Sequence, residues 1–160
     1  MIPWLEQIFT YFTIDIIYIW LNIGVIPFWL MLIFFPTSKI CNIFVSSIFP
    51  IIIFTAIYLY LVYFFFLSDY DFLSNFALYL SLDDLKDLFS NDGFLILFWI
   101  HFLAINLFCG SWIVKDYQKF AISKYLTFFP IVITYFIGPL GLFIYWMIRI
   151  FYAKKISFFD

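Results

Sequence analysis

The sequence predicts an all-α integral membrane protein: four transmembrane helices in an antiparallel bundle, with a short amphipathic helix lying in the interface between the second and third. Three observations predict it. Of 160 residues, 67% are hydrophobic and 11% charged, and the mean hydropathy is +1.10, which is more apolar surface than one soluble core of that length buries. The charges sit in blocks, and between the blocks run four apolar stretches of at least the ~18 residues that a helix needs to cross a ~30 Å hydrocarbon core. Lipid offers no partner to a backbone N–H or C=O, so stretches this long and continuous are helices rather than barrel strands. The whole chain, 1–160, reads as one membrane domain.

The first span is expected over 14–35. Pro36 ends it, because proline lacks the N–H that would continue the helix, and "PTSKICNIFVSS" turns the chain into the second span, 48–67. The third span, 94–114, follows a connection from Ser68 to Gly93 that is too long to be structureless in a compact protein. Within it, "SLDDLKDLF" predicts a helix over 81–89. Ser81 is placed as N-cap with Asp84 three residues on, and Leu82, Leu85 and Phe89 share a face opposite Asp83, Asp84 and Asp87. Such a helix lies in the membrane interface. The third connection, "KDYQKFAISK", is short, and the fourth span is expected over 125–152.

Four spans would put both termini and the acidic loop on one side of the membrane. That side would carry Lys86, Arg149, Lys154 and Lys155, and the other Lys39, Lys115, Lys119 and Lys124, a tie in the count that usually sets orientation. The short lysine-bearing loops and the acidic connection favour termini on the outer or lumenal side. The N-terminus "MIPWLEQ" has no basic region and no small-residue cleavage site, so the first span is expected to stay in the membrane.

Polar residues inside spans nominate inner faces, since each costs a few kcal/mol against lipid. Asp15, Asn22 and Trp29 recur every seven residues along the first span, and Pro27 kinks it. For Asn22 the simplest reading is a hydrogen bond to a neighbouring helix. The third span holds the only histidine, His101, and Asn106, in "WIHFLAINLFCG". Five residues apart, they lie ~140° from each other round a helix. His101 falls with Ile105, Phe108 and Trp112, and Asn106 with Trp99, Leu103 and Gly110. In the fourth span "GPLG" places Pro139 where it leaves the carbonyl near Tyr135 without a donor, while Gly138 and Gly141 allow close approach of a backbone or a flat ligand. His101 is expected to approach Asn22 or the GPLG break. A ring turned towards lipid would remove the functional reading of this stretch.

Several classes are disfavoured. No basic tract suggests nucleic acid, Cys41 and Cys109 form no metal-binding or redox motif, and few internal charges without a repeat offer no transport pathway. The abundance of Phe and Tyr fits an AT-rich coding sequence and is not evidence of a cofactor. The acidic connection is read as a solvated helix face rather than a cation site.

Four segments together resemble the ABA4-like membrane proteins: "IPFWLMLIFFP", "YLYLVYF", "WIHFLAINLFCGSWI" and "FIGPLGLFIYWM", covering roughly Gly24 to Tyr152. That family includes plant proteins required for neoxanthin synthesis and many bacterial members. Its third-span pattern, W-x-H-x-L-A-x-D-L-F-x-G, puts an acid where this chain has Asn106. The resemblance implies an integral protein of a bacterial inner membrane or a plastid or thylakoid membrane that acts on or binds a carotenoid or related isoprenoid within the bilayer, as an isomerase-like or biosynthesis-assisting protein.

Opening an epoxy-carotenoid to an allene needs an acid at the epoxide oxygen and a base on the polyene side. His101 is the candidate for proton transfer, since histidine ordinarily titrates near neutral pH. Asn106 can polarise an oxygen but cannot do an acid's work. Asn22, Trp29, Gly138, Pro139 and Gly141 are the candidate substrate-binding residues. The alternative is a non-catalytic subunit of a photosynthetic or respiratory complex, with His101 as axial ligand to a chlorophyll-type pigment or as a structural imidazole; no other metal ligand set is expected. The expected partners are the lipid bilayer, a lipophilic small molecule and a larger membrane complex.

Overall fold

The computed structural model of the chain describes residues 12–154; the N-terminal "MIPWLEQ" and Lys155 lie outside them. Among the described residues all regular structure is helical. We number the α-helices α1 (Ile14–Phe34), α2 (Lys39–Phe44), α3 (Phe49–Leu67), α4 (Leu82–Phe89), α5 (Asp92–Lys119), α6 (Lys124–Phe136) and α7 (Gly138–Ala153), with a 3₁₀ helix at Phe72–Tyr79. Three helical stretches are long and apolar enough to cross a membrane: Ile14–Phe34, Lys39–Leu67 and Asp92–Lys119. Their side chains suit lipid, since large apolar residues such as Trp20, Phe34, Phe66 and Phe108 are exposed rather than packed.

The expected fourth span is not one helix. It breaks at Ile137, whose backbone (φ −140, ψ 83) is non-helical, into arms of 13 and 16 residues. At 1.5 Å per residue these are about 20 and 24 Å long, short of a ~30 Å core. The cause is local. Pro139 has no N–H to give Tyr135, and Gly138 and Gly141 are small enough for the second arm to fold back on the first. A Cβ on Gly141 would collide with Thr134 and with the Pro130 carbonyl of α6. The two arms therefore pack as a helical hairpin.

Residues group into two compact units: the chain to Gly24 with Ile53–Phe102, and Val25–Ile52 with the chain from Leu103. In the first unit the loop that follows α3 is anchored by Tyr70, whose hydroxyl donates to Asn75 Oδ1 at 2.8 Å; burial raises the Tyr70 phenol above its ordinary pKa. Ser81 caps α4 as its spacing predicts, its Oγ accepting from the Asp84 N–H at 3.1 Å and donating to the Asp84 carboxylate at 2.5 Å. The apolar side of α4 rests on α5 through Phe89, which meets Phe94 and Phe98 with ring centroids 5.4 and 4.8 Å apart. Ser81→Ala should destabilise α4 by about 1 kcal/mol, read as faster amide exchange at Asp84 and Leu85 with α5 unchanged.

In the second unit the turn after α1 carries α2, a short helix where the sequence predicts only a connection. Ser38 caps it by accepting from the Cys41 N–H at 3.0 Å. This turn is tied to the C-terminal end of α5: Gln118 donates to the Pro36 carbonyl at 3.1 Å, Lys115 to Asn42 Oδ1 at 2.6 Å, and Ser111 to the Val45 carbonyl at 3.2 Å.

The hairpin returns to the same end of α5. Arg149 Nε lies 2.7 Å from Asp116 Oδ2, with the two side chains 1% and 7% exposed. The Tyr145 hydroxyl donates to the same carboxylate oxygen at 2.5 Å, and the guanidinium is sandwiched over Phe120 and Trp146. Trp112 of α5 stacks on Trp146, rings 6.4 Å apart and 10° from parallel. The ion pair brings the end of α7 back beside the end of α5 that carries Asp116, and the described residues hold three candidate membrane spans, not the four expected.

Candidate functional site

The two polar residues of "WIHFLAINLFCG" part company as the helical wheel requires. His101, Ile105 and Phe108 are exposed, whereas Leu103, Asn106 and Gly110 are buried. His101 is tied to its own helix and to α3. Its Nδ1 lies 3.0 Å from the Leu97 carbonyl, and its ring meets the Tyr58 ring edge-on, centroids 4.9 Å apart. Asn22 is satisfied in the same local way, its Nδ2 donating to the Tyr18 carbonyl at 2.7 Å. Among the described residues no hydrogen bond joins His101 to Asn22: each bonds a carbonyl one turn back on its own helix.

The polar side chain that meets the GPLG break is Asn106. It is 3% exposed, and its Nδ2 donates to the Tyr135 carbonyl at 3.4 Å, the acceptor left without a helical partner by Pro139. At that length the bond is weak, so the amide keeps donor capacity. Asn106 lies near the middle of α5, ten residues or about 15 Å before Asp116, so the hairpin tip sits deep along the helix and its other end is clasped at Arg149.

Small residues make this junction possible. A Cβ on Gly138 would strike the Asn106 side-chain oxygen, and one on Gly110 would come within 2.7 Å of the Trp29 ring. Trp29, 3% exposed, also packs edge-on against Tyr135 with centroids 5.3 Å apart. The structure thus gathers Trp29, Asn106, Gly138, Pro139 and Gly141 around one helix break, while His101 and Asn22 belong to the other unit. Gly138→Ala should cost about 1–3 kcal/mol through overpacking. Gly24→Ala, with no atom within 4 Å of its Cβ position, should cost nothing measurable; detergent-titration midpoints compare the two.

These elements agree with a family model described as ABA DEFICIENT 4-like, which matches residues 16–145, well over half of the chain. The chain belongs to the ABA4-like family. Neither a curated protein nor a solved structure shows significant similarity to it. The ABA4-like match spans α1 to α6 and runs into α7 as far as Tyr145. It therefore includes the whole Asn106 junction and Asp116, and ends before Arg149.

The buried Asp116–Arg149–Tyr145 cluster is what sequence reasoning missed. A signal for it existed: Arg149 stands alone among fifteen apolar neighbours in "GPLGLFIYWMIRIFYA", and an isolated cation in such a segment needs a partner. For metals, the described residues contain no group of three or more His, Cys, Asp or Glu side chains suited to hold an ion.

Proposed function

We propose that this ABA4-like protein holds an oxygen-bearing isoprenoid, a carotenoid or a close chemical relative, inside the bilayer at the tip of the α6–α7 hairpin. One observation carries the reading. The same helix break presents a buried amide with spare donor capacity, Asn106, next to apolar residues open to lipid: Phe136 is 65%, Ile137 53% and Leu140 45% exposed. Irregular backbone at membrane depth occurs where neighbouring protein groups satisfy it, and broken helices of this kind often form ligand sites. A lipid-borne chain would reach the break laterally along the exposed residues, and its epoxide, hydroxyl or carbonyl oxygen would accept from Asn106 Nδ2 once the Trp29 indole swings aside.

The chemistry favours binding and orientation over acid–base turnover. An amide polarises an oxygen by hydrogen bonding but exchanges no proton near neutral pH, and the family pattern's acid is absent at this position. In this reading α4 lies in the membrane interface with its aspartates in water.

Expression in a carotenoid-producing host, purification, and chromatography of the co-purified pigment test the proposal. The wild-type chain and His101→Ala are expected to retain a stoichiometric isoprenoid, and Asn106→Leu to lose at least tenfold of it. A wild-type protein free of isoprenoid would sink the reading.

One observation supports a second reading, a pigment-binding subunit. The Leu97 carbonyl can only accept, so a neutral His101 carries its proton on Nδ1 and its lone pair on Nε2, at an exposed position on an apolar span. That nitrogen suits the magnesium of a chlorophyll-type ring. Soret and Qy bands that vanish in His101→Ala would favour it.

A further inference from the structure

We infer that the 3₁₀ helix Phe72–Tyr79 is a membrane-inserting element: Leu73, Phe76 and Tyr79, with Leu80 and Leu82 after them, dip into the boundary between phospholipid headgroups and acyl chains and hold the loop between α3 and α5 on the bilayer surface. All the contacts involved lie within the first unit. The inference needs no ligand at the Asn106 junction.

A 3₁₀ helix has three residues per turn, so positions i, i+3 and i+6 stand one above another. Here one such row, Phe72, Asn75 and Leu78, is half-buried, and the next, Leu73, Phe76 and Tyr79, is 78, 67 and 80% exposed. Tyr70 sets that rotation. Its hydroxyl donates to Asn75 Oδ1 at 2.8 Å, and its ring packs edge-on against Phe72 with centroids 4.9 Å apart. The Asp71 carboxylate caps the helix by accepting from the Leu73 N–H at 3.0 Å. Contacts on the inner row therefore turn a wholly apolar row outward.

Position decides what covers that row. The Tyr70 N–H donates to the Phe65 carbonyl in the last turn of α3 at 3.0 Å, and the two rings lie 5.4 Å apart. The Tyr70 ring also lies so close to Gly93, in the first turn of α5, that a Cβ there would come within 3.0 Å of it. Both helices belong to stretches long and apolar enough to cross a membrane, so the 3₁₀ helix is held where two span ends meet the bilayer surface. An exposed apolar row at that level has lipid for its neighbour.

The helix α4 does not supply this contact. Its Leu88 is buried and its Leu85 and Phe89 half-buried, which leaves only Leu82 of its apolar side exposed. Charge is arranged to match. No charged residue occurs from Phe72 to Leu82, whereas exposed Asp69 and Asp71 precede the stretch and exposed Asp83 and Asp87 follow it. Apolar and aromatic side chains at the acyl boundary, with charges left in water on the flanks, are what an interfacial segment requires. The one cation here, Lys86, is paired with Asp83 at 2.7 Å, so attraction to anionic headgroups adds nothing and apolar burial carries the contact.

Nitroxide labels on single cysteines test the inference, in a chain with Cys41 and Cys109 replaced by alanine and reconstituted in phosphatidylcholine vesicles. The readout is collision with oxygen, which concentrates in hydrocarbon, against collision with a polar nickel chelate, which stays in water. The label of Phe76→Cys is expected to meet oxygen at least threefold more often than nickel, and that of Asp87→Cys the reverse. A label at position 76 that favours nickel as strongly as the one at position 87 would overturn the inference by placing the row in water. Dipolar broadening between labels at position 76, lost on dilution with unlabelled chain, would overturn it by placing a second copy there.

In the otherwise native chain in bicelles, nuclear Overhauser contacts from the Leu73 methyl groups to lipid acyl methylenes give the answer without cysteine replacement: present if the inference holds, absent if it does not. Changing Leu73, Phe76 and Tyr79 together to serine should speed cleavage of the loop by a soluble protease at least fivefold in vesicles. Unchanged cleavage would show that the row holds nothing on the membrane.

Discussion

Replacing Arg149 by methionine will cost about 3–5 kcal/mol of stability, the typical price of leaving a buried carboxylate without its cation. Asp116 has nowhere else to turn: its side chain is 7% exposed, and its Oδ2 receives both Arg149 Nε and the Tyr145 hydroxyl. The reverse change, Asp116→Leu, strands the guanidinium and should cost as much. The double variant Asp116→Leu/Arg149→Met should recover most of the loss, because removing both charges together also removes the desolvation that opposes the pair. Denaturation midpoints of the four proteins in lipid bicelles form the cycle. Additive losses would mean that the clasp does not act as a unit. The clasp holds the hairpin against α5 on the stacked Trp112 and Trp146 rings, so loss of the cation should also raise the reactivity of the α6–α7 arms to a hydrophilic protease, with α1 and α3 unaffected.

Asn106→Leu is the second large effect, about 2–3 kcal/mol. Leucine has the heavy-atom count and branching of asparagine but a larger volume, so no cavity forms and the loss reports two other causes. The Tyr135 carbonyl is left buried without a donor, and the branched side chain presses on Gly138, where even the asparagine oxygen leaves no room for a Cβ. Asn106→Ala relieves the crowding and keeps the unpaired carbonyl, so it should be the milder of the two. A leucine variant as stable as wild type would show that the bond to Tyr135 contributes nothing. His101→Ala, on an exposed face of the same helix, should change stability by less than about 0.5 kcal/mol.

How far the sequence reveals this molecule depends on whether a signal is local. Helix type, the Ser81 cap and the opposite faces of His101 and Asn106 follow from period and spacing within a few residues, and the structure has them all. So does the orphaned carbonyl at Tyr135, because a proline acts on the backbone one turn before it. What the GPLG segment does over longer range was not legible. Hydropathy measures how apolar 125–152 is, and a hairpin of two arms is as apolar as one span; only the close packing of Gly141 on Thr134 and Pro130 tells them apart. The amide that meets the break was hidden for the same reason. A single histidine in an apolar run draws attention by its rarity, but burial decides which polar group meets a neighbour, and that falls to the amide five residues on. The Asp116–Arg149 pair lies thirty-three residues apart in sequence, joining the C-terminal end of α5 to α7, and no periodicity encodes it.

In the proposed function Asn106 at the broken helix, and not His101, is where an isoprenoid meets the protein. An experimental structure of the chain purified from carotenoid-producing membranes tests it most directly. Elongated density is expected along Phe136, Ile137 and Leu140, ending in an oxygen about 3 Å from Asn106 Nδ2 with the Trp29 indole displaced. Density seated on His101 and Tyr58, with Trp29 still closed over Asn106, would contradict it.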